Sequence, residues 1–123
     1  MKRGTLAAAL LVASVAALVT AASGLGKHAL SPLPSSSCTP LQGSSSADFL
    51  IASDLPLQGA GRTQTIEMTK AINFVLKSHD YKAGSHTVAY QSCDDSTAQA
   101  GKWDSGKCSA NANSYARNSA VIG

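Results

Sequence analysis

With 123 residues, 44% of them hydrophobic, and a formal charge of +3, the chain is long enough for one small domain. Lys2, Arg3 and Lys27 account for three of the ten basic residues, and beyond them seven basic residues meet seven acids. Such a balance excludes the basic footprint of a nucleic-acid binder.

Residues 1–26 have the layout of a secretory signal: a basic start at Lys2 and Arg3, an uncharged run from Leu6 to Ala22, and small residues at Ala21, Ala22 and Ser23. Uncut, the stretch from Gly4 to Gly26 is long enough to anchor the chain in a bilayer. Either outcome predicts export to a periplasmic or extracellular compartment, with membrane contact only through this segment. Residues 27–47 read as a Ser/Pro-rich disordered linker, with Ser35–Ser37, Ser44–Ser46, Pro32, Pro34 and Pro40. Cys38 stands inside it without the flanking residues of a lipidation site.

From Asp48 the pattern changes. Phe49-Leu50-Ile51-Ala52 is a short apolar run suited to a parallel strand buried on both faces. Ser53 to Gly61 breaks it, with Pro56 unable to donate and Gly59 and Gly61 free to turn. From Arg62, Ile66, Met68, Ala71, Ile72, Val75 and Leu76 recur at helical spacing. A polar segment with Gly84 leads to His86–Ser92, whose alternation predicts a second strand, parallel to the first across the helix. Asp104 is suited to cap a second helix, with Cys108, Ala112 and Tyr115 on one face, and Ala120-Val121-Ile122-Gly123 opens a third strand. The expected class is α/β, a parallel sheet begun as β-α-β-α-β, with a core that is small for its exposed edges. A strand that opens at the last residue suggests an amino-terminal piece of a longer chain.

Ala52-Ser53-Asp54-Leu55-Pro56-Leu57-Gln58-Gly59 resembles the first-strand signature of the type I periplasmic binding proteins, in the leucine/isoleucine/valine-binding branch of ABC-transporter receptors. Glu67–Leu76 resembles that family's first helix, Val88–Ser96 its second strand and acidic turn, Ser109–Ala112 its second helix and Ala120–Gly123 its third strand. The chain departs from the pattern in the insert around Gln99–Lys107 and in its cysteines. The resemblance implies a Rossmann-like first lobe at residues 48–123 that captures an amino-acid-like ligand for an ABC transporter permease, without cofactor, metal or catalysis. It also implies that most ligand contacts come from residues after the third strand and from a second lobe. Within this chain the first turn, with Gln58, Gly59, Ala60 and Arg62, is placed to reach the mouth of the cleft; the other reading of that turn is a plain connector.

Export makes a disulfide the expected state of Cys93 and Cys108, one ending a strand and the other in a nearby helix. Unpaired or externally paired cysteines are the alternative, and the spacing fits no zinc pattern. Asp94 and Asp95 are adjacent and read as a solvated turn rather than a catalytic pair. Ser53 and Ser92 lack a G-x-S-x-G elbow, and Gln58–Arg62 lacks the lysine of a phosphate loop. The competing functions are a ligand-sensing receptor ectodomain on the same lobe and, with less support, a secreted α/β enzyme.

Overall fold

A computed structural model describes residues 29–123, so the signal or anchor expected at 1–26 lies outside the described residues. The chain is α/β. It runs through β1 (Gln42–Gly43), β2 (Phe49–Leu55), a 3-10 turn (Gly59–Gly61), α1 (Arg62–Ser78), β3 (Lys82–Ala83), β4 (His86–Asp94) and α2 (Ser105–Ala116). β2 and β4 are parallel in continuous register from Phe49–Val88 to Leu55–Asp94, as the helical crossover between them requires. The strand continues past the apolar run because Ser53 and Asp54 find partners: Ser53 lies 2.8 Å from the Tyr90 hydroxyl, and Asp54 accepts from Asn111 at 2.7 Å.

On the other side of β2 the chain's last residues pair in parallel. Leu50 donates to Ala120 O at 2.8 Å, Ile122 to Leu50 O at 3.1 Å, and Ala52 to Gly123 O at 2.6 Å, with Val121 opposite Leu50. The parallel strands therefore stand in the order 86–94, 49–55, 120–123. β1 pairs with β4 antiparallel, as does β3, so the sheet is mixed.

Residues 29–47 differ from the solvated tether that their composition predicts. Leu30 and Leu33 are only 8% and 4% exposed, and with Ala47 they join Leu50, Ala89 and Cys93 in one apolar cluster. Thr39 donates to Ser92 O and accepts from the Ser92 amide, while Asp94 donates to Ser37 O, so the segment completes the outer edge of β4. Leu33 N donates to Gln91 Oε1 at 2.7 Å. Serines and prolines conceal this role: a proline lacks an N–H to satisfy, and the buried aliphatics follow neither a strand nor a helix period.

The disulfide expected between Cys93 and Cys108 is replaced by another. Cys38 and Cys93 face one another across an antiparallel bridge and are bonded, and Cys108 is a free thiol. The nearest helix offers Cys108, but the 29–47 segment brings Cys38 beside β4. The bond accords with an oxidising compartment. No helix among the described residues is long and apolar enough to cross a membrane.

Alternation along the strands gives the sheet two unlike faces. Leu50, Ala52, Ala89 and Cys93 point to the apolar cluster under residues 29–47 and α2. Ser53, Tyr90 and Ser92 belong to the opposite face, where Thr69, Lys70 and Asn73 of α1 line a cavity with Tyr90 and Ser92. α1 buries only Thr65 fully and leaves Met68, Phe74 and Val75 exposed, Phe74 at 73%.

Candidate functional site

The carboxyl ends of β2 and β4 converge on a group of polar side chains, as the ends of parallel strands do in α/β ligand sites. Asp94 is its hub. Its Oδ1 accepts from Leu57 N at 2.9 Å, Ser96 N at 3.0 Å and Ser96 Oγ at 2.6 Å, while Oδ2 accepts from Gln58 Nε2 and lies 3.5 Å from Lys107 Nζ. Burial works against its ionisation, but the hydrogen bonds from Ser96, Gln58 and the Leu57 amide outweigh it and hold the carboxyl at about 2. Asp94 thus ties the turn after β2 to the turn after β4.

Asp54 accepts from Asn111 Nδ2 and, at 3.1 Å, from the Tyr115 hydroxyl, which docks α2 on the sheet. Burial first, and the Asp54 charge second, push the Tyr115 phenol well above its ordinary range and keep it a donor. The Cys108 thiol is raised as well, by burial and then by Asp54, so it stays protonated at neutral pH and is a poor nucleophile and metal ligand. Asp95 is 7% exposed, and its Oδ1 has no hydrogen-bond partner. Burial raises its carboxyl, and Asp54 and Asp94 raise it further. Asp94 and Asp95 are therefore not the solvated turn that their polarity predicts; both are buried where the 95–104 segment folds back, with Asp104 N donating to Asp95 O at 2.6 Å.

The four residues expected at the cleft mouth separate into two pairs. Gln58 is engaged inward, its amide on Asp94 and its N–H on Ser96 Oγ at 3.0 Å. Gly59 has φ +71°, and a Cβ there would stand 2.2 Å from Gly101 Cα, so this glycine is required by close backbone packing. Ala60 and Arg62 are exposed at the start of α1, whose first turn has no side-chain cap and no acidic residue. Loop 56–61 thus leans on the end of β4 and the segment after it, with the start of α1 exposed beside it.

Sequence reasoning missed Asp94 as a hub, Asn111 and Tyr115 as the clamp on Asp54, and Gly101 as the partner of Gly59. Helical spacing placed Tyr115 on one face with Cys108, but the carboxylate awaiting it belongs to a distant strand. No three His, Cys, Asp or Glu side chains among the described residues converge in a way that could hold a metal ion. Comparison with family models, curated proteins and solved structures gives no match to this chain.

Proposed function

We propose that this chain captures an amino-acid-like solute outside the cytoplasm for delivery to an ABC importer, as its resemblance to the leucine/isoleucine/valine-binding receptors implies. The observation that carries the reading is the parallel strand order 86–94, 49–55, 120–123. In that order the crossover through α1 carries the chain from β2 to β4 on one side, and the crossover through α2 carries it from β4 past β2 to 120–123 on the other. β2 is thus the central parallel strand, and open α/β sheets take their ligands outside the carboxyl ends of such strands. There the 3-10 turn Gly59–Gly61 leads into α1, and the exposed guanidinium of Arg62 is the group that would receive a carboxylate. Binding asks for no bond-making, and the group around Asp94 serves this reading as a brace that fixes the turn. The Cys38–Cys93 bond suits an exported protein.

The test uses the exported product purified whole from its host. Calorimetric titration with free L-amino acids is expected to give saturable binding, and Arg62→Ala to weaken it about tenfold, equivalent to about 1.4 kcal/mol. Absence of binding across the amino acids, or unchanged affinity in the variant, would count against the proposal. Gly59 is unsuited to this test, because any side chain there meets Gly101 before it meets a ligand.

A further inference from the structure

The cavity between α1 and the segment that edges β4, of about 210 Å³, lies away from the ends of the parallel strands. Thr39, Gln42, Thr69, Lys70, Asn73, Tyr90 and Ser92 line it. It exists because residues 37–43 widen the sheet by one strand beyond the cover that α1 provides. The lining contains no carboxylate, and its one charge is the Lys70 ammonium.

Its hydrogen bonds are unevenly spent. Ser53 donates its single hydroxyl proton to Ser92 Oγ at 2.9 Å, so the 2.8 Å contact between Ser53 and Tyr90 must be donated by the phenol. The chain Tyr90 to Ser53 to Ser92 therefore ends on the Ser92 hydroxyl, 1% exposed, whose own proton has no acceptor among the described residues. Donation along such a chain strengthens its terminal donor. Thr39 Oγ1 accepts from Ser92 N at 3.1 Å and likewise keeps an unspent proton. Asn73 accepts the Tyr81 hydroxyl on Oδ1 at 2.6 Å, which leaves its NH2 free. Lys70 gives one N–H to Glu67 at 2.8 Å, both side chains about two-thirds exposed, and retains the others.

We propose that this cavity is a binding site for a small monocarboxylate, held by the Ser92 and Thr39 hydroxyls, the Asn73 amide and the Lys70 ammonium. Unspent donors with no carboxylate in the wall favour an oxyanion over a cation. A single ammonium, partly shared with Glu67, suits one negative charge better than two. The volume falls below the roughly 300 Å³ of the smallest drug-sized sites and limits the ligand to a few carbons. The site is separate from the solute site proposed at the ends of the parallel strands and does not depend on it.

The experiment is an NMR titration of the full chain with L-lactate, with lactamide and inorganic phosphate as parallel arms. Lactate is expected to give saturable shifts of the Asn73 side-chain amide and of the Thr39 and Ser92 backbone amides, while lactamide gives none and phosphate gives weaker ones. Asn73→Asp keeps an acceptor for Tyr81 but places a carboxylate in the cavity, and is expected to weaken lactate at least tenfold. Lys70→Gln, at an exposed position that folding does not need, weakens it severalfold, and Arg62→Ala leaves it unchanged. The proposal is overturned by a non-saturating response, by an equal response to lactamide, by tighter binding of phosphate, or by lactate binding that survives both cavity variants. If Asn73→Asp does not fold, Lys70→Gln alone decides.

Discussion

At the residue scale, two neighbouring carboxyls are driven in opposite directions by the bonds they receive. Asp94 collects donors and is held at about 2, below its ordinary 3.8. The stability it contributes is therefore complete above about pH 5 and lost as pH falls through 3.8 towards 2. Asp94→Asn should cost about 2–3 kcal/mol in denaturant unfolding at pH 7, because several donors would lose a charged acceptor. Asp95 is buried with an unpartnered oxygen and a raised carboxyl. Its folded form favours the proton, so ionisation subtracts stability as pH rises from the unfolded value through the folded one. Asp95→Asn should therefore raise the melting temperature at pH 7, with the difference from wild type shrinking in acid. Neither role was legible in the sequence, where Cys93-Asp94-Asp95-Ser96 reads as a polar turn. Burial of the pair depends on the 95–104 segment returning over it, which no local pattern announces.

At the scale of elements, β2, α1, β4 and α2 form near where apolar periodicity and the Asp104 cap predict them, and Asp104 Oδ1 accepts from Lys107 N at 3.0 Å. The first turn is where local reading stops short. Gly59 and Gly84 both have positive φ, but a Cβ at Gly84 meets nothing within 4 Å, while one at Gly59 overlaps Gly101. Gly84→Ala should cost about 1 kcal/mol, the left-handed penalty alone. Gly59→Ala should cost about 2 kcal/mol more than that, because the 97–101 turn must move aside. Equal losses in urea unfolding would show that Gly101 does not press on the turn. Sequence reasoning identified Gly59 and Gly61 as residues free to turn, but neither which of them takes the left-handed angle nor Gly101, which Gly59 meets about forty residues along the chain.

At the scale of the whole molecule, the folded unit begins before Asp48. Leu30, Leu33 and Ala47 close the apolar cluster, and residues 37–43 complete the β4 edge. A chain cut to residues 48–123 should lose cooperative unfolding, whereas one that begins at Ala29 should keep it. The Cys38–Cys93 bond spans a sequence separation of 55, for which chain entropy gives about 4 kcal/mol. Replacing both cysteines with serine should lower stability by an amount of that order, while Cys108→Ser, which removes no crosslink, should change it little. The parallel strands and their crossovers were legible from periodicity; the amino-terminal edge was not, because its pairing partner lies some fifty residues away and its composition is that of a linker.

The central claim places an amino-acid ligand at the carboxyl end of β2, beside the start of α1. Amide hydrogen exchange on the full chain, with and without a saturating L-amino acid, tests it most directly. The account predicts slowed exchange at residues 60–64, with Asn73 and Ser92 unaffected. Protection confined to the cavity at Asn73 and Ser92, or none at the start of α1 when the ligand is bound, would contradict it.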